Sequence, residues 1–308
     1  MGMLIINNYN FFAMVALKPG PVEIGGVKLD NHLILAAGIL GTTGASLNRI
    51  LQKGAGGVVT KSIGPVPNPG HPGPNIVVLN GGVLNAMGLP NPSRDFASEL
   101  QVVKGRPVIV SIFGGDPDEF YEIASWFSRD AAGIELNVSC PHAEGYGMSL
   151  GTDPVLIEEC TRTVSRLGVP TWVKLTPNVT DIAACGRAAE EGGASALVAI
   201  NTVKAMRIST ALRRPLLGHG TGGLSGPAIL PIAVRCVFEL FEACSIPIIG
   251  CGGISSADNV IEMVMAGASA VQIGSAVLQD IDIFERIAED LYAPDGVDAK
   301  DIVGCAHV

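Results

Sequence analysis

The chain has 308 residues, of which 48% are hydrophobic and only 16% charged, a composition that supports a large buried interior and excludes a disordered or solvating polymer. Its formal charge of -9 and pI near 5.0, with no run of Lys and Arg, exclude electrostatic capture of a phosphate backbone, so no nucleic-acid partner is expected. Seven cysteines with no CxxC spacing point to neither a disulfide framework nor a zinc or iron-sulfur site, and no metal is expected.

The stretch Met1–Leu17 is interrupted by Asn7, Asn8 and Asn10 and has no basic leader, so it reads poorly as a signal peptide. Gly, Pro or charge breaks every apolar run before ~18 residues, the length a membrane span needs. A cytoplasmic protein is expected. Along the chain, short β-rich runs recur at His32–Ala37, Gly57–Ser62, Pro107–Phe113, Gly133–Val138, Thr171–Thr176, Ala196–Asn201, Pro247–Cys251 and Ala270–Gly274. Several are nearly continuous in apolar residues, as suits strands covered on both faces. Amphipathic segments lie between them. Asp153 and Pro154 precede one at Val155–Leu167, Thr180 precedes Asp181–Glu191, and Ser255 precedes Ser256–Met265.

Eight strands alternating with helices predict an α/β fold, a (β/α)8 TIM barrel with long loops at its C-terminal face. One domain over residues 1–308 is expected, with its core at about 21–289. A doubly wound open sheet also alternates, but the GxGxxG fingerprint after the first strand is missing. Two connections exceed what a helix needs. Ile63 to Arg106 holds the Pro- and Gly-rich Pro65–Pro74, then Asn75–Leu79 and Gly81–Leu89, which predict a small hairpin over the barrel mouth. Thr202 to Leu224 is rich in Arg and Gly. Both are lid candidates.

Three signals carry chemistry. The first is a pair of glycine turns, Gly250-Cys-Gly-Gly-Ile-Ser255 after the seventh strand and Gln272-Ile-Gly-Ser-Ala276 after the eighth. Barrels bind phosphate there, because backbone N–H groups converge where small residues allow close approach. The alternative is that Gly252 and Gly253 serve only a tight turn. The second signal is polar residues at other strand ends: Lys61 and Ser62, Asn137, Lys174, Asn201 and Thr202. An inward ammonium needs an anion or an electron-rich partner; an isoalloxazine ring satisfies that, and an internal salt bridge, with Glu135 the candidate for either Lys61 or Lys174, is the alternative. The third is Asn137-Val-Ser-Cys-Pro-His142 directly after strand four. Cys140 falls on a loop at the catalytic face, where a thiolate can act as base or nucleophile, although a buried structural cysteine is the competing reading. Cys160, Cys185, Cys236 and Cys244 fall on helices or strand edges, Cys251 in the glycine turn and Cys305 at the tail, as small hydrophobes. His32, His71, His219 and His307 have no ligand spacing and are expected on loops or the surface.

Thr60-Lys-Ser62, Leu84-Asn-Ala-Met-Gly-Leu-Pro-Asn91, Asn137-Val-Ser-Cys-Pro141, Val173-Lys-Leu-Thr-Pro-Asn-Val-Thr180, Ile200-Asn-Thr202, Gly222-Gly-Leu-Ser-Gly-Pro227 and Cys251-Gly-Gly253 occur in an order that resembles the class 1 dihydroorotate dehydrogenases. The resemblance runs from about Pro21 to Glu289 and is greatest to the B type. It implies that Ala36, Gly38, Lys61, Ser62, Asn137, Lys174, Gly226, Gly252, Gly253, Gly274 and Ser275 surround FMN. It implies that Lys61, Asn85, Met87, Gly88, Leu89, Asn137, Asn201 and Thr202 hold dihydroorotate or orotate. It implies catalysis by Cys140, the base that removes the C5 proton while C6 delivers hydride to the flavin, and by Lys174, which offsets charge on the reduced ring. The B type further implies a homodimer joined to an iron-sulfur and FAD subunit in a heterotetramer that passes electrons to NAD. Two positions depart from the commonest pattern: His142 stands where Asn often follows Cys-Pro, which puts one substrate hydrogen bond in question, and Ser275 stands in place of Thr, which keeps the hydroxyl. The alternatives are a dihydropyrimidine dehydrogenase-like barrel acting on uracil or thymine, and a non-catalytic flavin-binding barrel.

Overall fold

A computed structural model describes residues 15–139 and 150–308, so Cys140 and His142 lie outside the described residues. Eight parallel strands close into a barrel: β1 (Leu33–Leu35), β2 (Gly57–Val59), β3 (Val108–Ile112), β4 (Gly133–Asn137), β5 (Thr171–Leu175), β6 (Ala196–Ala199), β7 (Ile248–Cys251) and β8 (Ala268–Ile273). Each strand pairs with its neighbours in sequence, and β8 pairs with β1 to complete the ring. All eight expected runs therefore become barrel strands. The open doubly wound sheet is ruled out, because it would leave two unpaired edges.

Eight helices return the chain outside the barrel: α1 (Gly44–Gln52), α2 (Phe96–Val102), α3 (Pro117–Phe127), α4 (Pro154–Ser165), α5 (Ile182–Glu191), α6 (Leu230–Ala243), α7 (Ala257–Met265) and α8 (Ile283–Leu291). Short polar side chains start five of them. Asp116 and Asp153 accept from the N–H groups of Glu119 and Val155, and each is followed by proline, whose missing N–H costs nothing at the first helical position. Two starts fall one residue later than expected. Asp181, not Thr180, caps α5 by accepting from Ala184 N–H at 2.9 Å, and Ser256, not Ser255, caps α7 by accepting from Asn259 N–H at 3.3 Å. The Ser255 hydroxyl instead faces Asn259 Oδ1 at 3.4 Å.

Two cores result. The larger lies between the barrel and its helices. The smaller fills the barrel itself, where Ile34, Val59, Ile109, Trp172, Val198 and Ile249 meet a plug that the sequence reading did not anticipate. The plug is a hairpin of Val22–Ile24 and Val27–Leu29 that closes the N-terminal end of the barrel. Its two-residue loop, Gly25-Gly26, has φ of +52° and +79°, the positive values that a tight hairpin turn of this length requires. A Cβ on Gly25 would also lie 2.6 Å from the Ser195 carbonyl, so glycine is required there twice over.

At the opposite end the expected hairpin forms, with Ile76–Leu79 against Gly82–Asn85, and it does not stand alone. Gly222–Ser225 pairs with its inner strand and Val203–Ala205 adds beyond, giving one four-stranded antiparallel sheet built from both long connections. Two of the histidines lie in loops, as expected, yet are packed inward: His32 is buried, its backbone N–H donating to the Tyr292 hydroxyl, and the His307 ring stacks on Phe238 with centroids 3.6 Å apart.

The plug yields a direct stability test. Leu29 is fully buried against the barrel interior, so Leu29→Ala should cost about 2–5 kcal/mol through lost transfer energy and the cavity left behind. Denaturant unfolding of the two proteins would measure it.

Candidate active site

Side chains two apart on a strand share a face. Ser111, Lys174, Cys251 and Gln272 each follow by two residues an interior apolar residue, respectively Ile109, Trp172, Ile249 and Ala270, so the pleat carries them inside the barrel one layer nearer the C-terminal mouth. Glu135 pairs in register with Trp172, and Asn137 with Lys174. An apolar lower barrel thus gives way to a polar upper layer.

Two hydrogen-bonded groups form in that layer. One runs across the mouth: the Ser111 and Ser62 hydroxyls lie 2.9 Å apart, Asn137 Nδ2 donates to Ser62 Oγ at 3.3 Å, and Asn201 Nδ2 donates to Asn137 Oδ1 at 3.1 Å. Thr202 N–H then donates to Asn201 Oδ1 at 2.8 Å. This chain joins residues on β3 and β4 and in the loops just after β2 and β6, up to 140 positions apart in sequence. The second group lies inside. Lys174 Nζ donates to Gln272 Oε1 at 2.8 Å, Gln272 Nε2 donates to Glu135 Oε2 at 2.6 Å, and Glu135 Oε1 lies 3.8 Å from Lys174 Nζ. The internal salt bridge posed from sequence as the alternative for Lys174 is therefore present.

The two lysines titrate in opposite directions. Burial pushes the Lys174 ammonium down, but Cys251 and Glu135 beside it outweigh that and hold it above its usual range. Burial alone acts on Lys61 and lowers it. Among the described residues no hydrogen bond or ion pair reaches the Lys61 ammonium. Cys251 ends β7, as the run Pro247–Cys251 expected, and leads into the glycine turn; its thiol is pushed up, first by burial, with Lys174 opposing.

Gly252 and Gly253 follow β7, and Gly274 and Ser275 follow β8, so the two turns are neighbours. Among the described residues the N–H groups of these four find no acceptor. Gly252 and Gly253 have φ of +131° and +80°, and a Cβ on Gly253 would lie 2.6 Å from Leu230 Cβ, so only glycine holds this turn. Ala36 is buried at the end of β1, and a Cβ on Gly38 would meet no heavy atom within 4 Å, which leaves open space on that side of the mouth. Gly226, at φ +97°, ends the lid strand Gly222–Ser225.

The lid brings the remaining expected residues to this end. Asn85 closes its strand and donates to the Gly223 carbonyl at 3.3 Å. Met87, Gly88 and Leu89 follow in a loop held by His71, whose N–H donates to the Met87 carbonyl at 2.9 Å, and by Asn91 Nδ2, which donates to the Leu89 carbonyl at 3.0 Å. No hydrogen bond among the described residues joins this loop to the Asn137–Asn201 chain. Sequence reasoning named Glu135 as a salt-bridge partner but missed Ser111 and Gln272. Their signal was a single polar residue in an otherwise apolar strand.

A barrel of this topology with that end is matched by comparison with known proteins. A sequence model described as dihydroorotate dehydrogenase matches residues 21–293. The chain belongs to the dihydroorotate dehydrogenase family. It is therefore an oxidoreductase. It is 55% identical over 295 residues to the catalytic subunit of dihydroorotate dehydrogenase B (NAD(+)) from Methanosarcina mazei, covering 92% of this chain and 93% of the relative. It is 45% identical over 297 residues to the protein of the same description from Methanocaldococcus jannaschii, covering 92% and 97%. The fold is also similar to a crystal structure of the dehydrogenase from Eimeria tenella in complex with ferulenol, with TM-score 0.78, 21% identity, and 93% and 88% of the two chains covered. Among the described residues no helix is long and apolar enough to cross a membrane, and no group of His, Cys, Asp and Glu is arranged to hold a metal ion.

Lys61 offers a test of the site in the unliganded chain. Its lowered proton affinity means that the unfolded state binds more protons between the depressed value and 10.5, so that stability should rise with pH across that window. Lys61→Met should therefore stabilise the chain at neutral pH, and the gain should shrink towards zero as pH approaches 10.5. Thermal unfolding against pH would read it.

Proposed function

We propose that this chain oxidises (S)-dihydroorotate to orotate in the de novo synthesis of UMP, with FMN as hydride acceptor, in the cytoplasm and as one domain spanning residues 1–308. The observation that carries the reading is the juxtaposition, at one barrel end, of the Ser62–Asn137–Asn201 hydrogen-bonded chain with four acceptor-free N–H groups in the Gly252, Gly253, Gly274 and Ser275 turns. Such a cradle fits a phosphate, which backbone N–H groups at glycine turns hold well. Lys61, without a partner among the described residues, and the open space beside Gly38 fit the remainder of a flavin nucleotide.

In this reading Ala36, Gly38, Lys61, Ser62, Asn137, Lys174, Gly226, Gly252, Gly253, Gly274 and Ser275 hold FMN. Lys61, Asn85, Met87, Gly88, Leu89, Asn137, Asn201 and Thr202 hold the substrate. FMN, when bound, supplies the two-electron acceptor for the hydride leaving C6. The chain supplies the rest. Amide groups of Asn85, Asn137 and Asn201 each offer donor and acceptor to the ring carbonyls and N–H groups. The Cys140 thiolate takes the C5 proton, which the adjacent C4 carbonyl makes acidic. Lys174 provides a fixed cation where negative charge develops, an arrangement that needs no reorganisation during the reaction.

Cys140→Ser should slow flavin reduction by dihydroorotate by about 10²–10⁴-fold at neutral pH while FMN stays bound, because a hydroxyl is a far weaker base than a thiol. Stopped-flow absorbance of the flavin band reads both, and near-normal reduction would remove Cys140 from the mechanism. Competition by orotate rather than uracil in the same assay separates this substrate from the pyrimidine bases.

The matched relatives are catalytic subunits of NAD(+) enzymes, and this chain has no CxxC spacing, while its GxGxxG string, Gly218 to Gly223, runs into the lid strand Gly222–Ser225 and not from a strand into a helix as dinucleotide binding needs. We therefore place it in a homodimer that joins an iron-sulfur and FAD subunit, forming a heterotetramer that delivers electrons to NAD. The purified chain should reduce its FMN with dihydroorotate yet transfer electrons to NAD poorly until that subunit is added. Rapid NAD reduction by the chain alone would sink the assignment.

A further inference from the structure

Lys61 and Lys174 are both buried at the same barrel end, yet among the described residues only Lys174 has a counter-charge. The carboxylate that provides it, Glu135, is wholly buried between Ile134 and Leu136 on β4. A carboxylate kept only for folding would be expected to have both oxygens hydrogen-bonded. Here Oε2 accepts from Gln272 Nε2 at 2.6 Å, while Oε1 has no hydrogen bond and lies 3.8 Å from Lys174 Nζ. Gln272 sits between the two charges with its oxygen towards the ammonium at 2.8 Å and its amide nitrogen towards the carboxylate. The opposite orientation would set N–H groups against an ammonium and an oxygen against a carboxylate, so the charges themselves dictate the arrangement.

We propose that Glu135, working through Gln272, is a positioning residue that keeps Lys174 protonated and fixed at the cofactor site whether the cofactor is oxidised or reduced. The inference rests on the FMN reading above. Its physical basis is the changing charge of the site. With an oxidised, neutral ring nearby, a buried ammonium needs another anion to remain charged. Glu135 is that anion. Around Lys174, β6 contributes the uncharged Val198 and β7 the Cys251 thiol, which burial pushes up, so Glu135 is the carboxylate of the group, while Lys61, at the same barrel end, has the same sign as Lys174. Because Lys174 is already charged before reduction, it takes up no proton when the ring gains negative charge, and the cation is in place throughout.

Removing the carboxylate should change this proton count. In Glu135→Gln, Lys174 should lose its proton while the cofactor is oxidised and regain it on reduction. One additional proton per two electrons steepens the pH dependence of the midpoint potential by ~30 mV per pH unit, the value of a tenfold change for a two-electron couple. The experiment is a dye-equilibrated redox titration of the FMN-bound chain at several pH values between about 6 and 9, below the ordinary lysine range. Wild type should lack the extra slope, Glu135→Gln should show it, and Glu135→Gln/Lys174→Arg should lose it again, because a guanidinium keeps its proton. A purely structural pair would lower thermal stability in Glu135→Gln and leave the slope unchanged, which would overturn the proposal. If Glu135→Gln gives no folded protein, Glu135→Asp, which withdraws the carboxylate by one methylene, is titrated instead, and an unaltered slope overturns it equally. A wild-type chain without flavin absorbance would overturn the FMN reading and the proposal together, whereas a flavin-bound wild type with an unaltered variant slope overturns only the role of Glu135.

Discussion

Closing eight parallel strands into a ring forces every second side chain of each strand into one shared interior, and the remainder of the molecule depends on how that interior is filled. Its lower layers are apolar and sealed by the hairpin around Gly25 and Gly26. Two residues further along the same strands, the inward positions turn polar. Ser111, Glu135, Lys174 and Gln272 meet hydrogen-bonding partners across the ring there, whereas a polar group lower down, among apolar side chains, would meet an uncompensated desolvation cost. The boundary between plug and site is therefore set by the pleat.

Within the polar layer, stability and function are reconciled by different means for each group. Lys174 is neutralised within the protein by Glu135 and bridged by Gln272. Lys61 is left with burial uncompensated, a condition that favours an incoming anion or electron-rich ring. The asparagines are connected to each other and to backbone, which fixes their amide groups before any ligand arrives. A site prepared in this way loses little freedom on binding.

The lid extends the same economy outside the barrel. Two connections separated by more than a hundred residues pair as one antiparallel sheet, with Leu84 facing Leu224 across it. Asn85 is held from the other connection through the Gly223 carbonyl. The loop of Met87, Gly88 and Leu89 hangs from this sheet and from Asn91 and His71, so its position depends on both connections being in place.

By itself the sequence determined the barrel: continuous apolar runs at regular intervals, short polar caps before the helices, and glycines where two consecutive strands end. It also marked Lys61, Ser62, Asn137, Lys174 and Asn201 as residues at one end, because strand ends in a parallel barrel share a face. A hairpin from Asn75–Leu79 and Gly81–Leu89 was legible from local alternation. What local pattern does not encode is partnership between distant segments. Only the tertiary structure decided that Val22–Leu29 plugs the barrel, that Gly222–Ser225 completes the lid sheet, and that Glu135, Lys174 and Gln272, from three separate strands, meet. Lys174 illustrates the reason. From sequence, a flavin or a salt bridge was each a sufficient partner, and the choice depended on which side chains lie within a few ångströms across the ring. That distance is fixed by closure and register, to which all eight strands contribute and which no single segment carries.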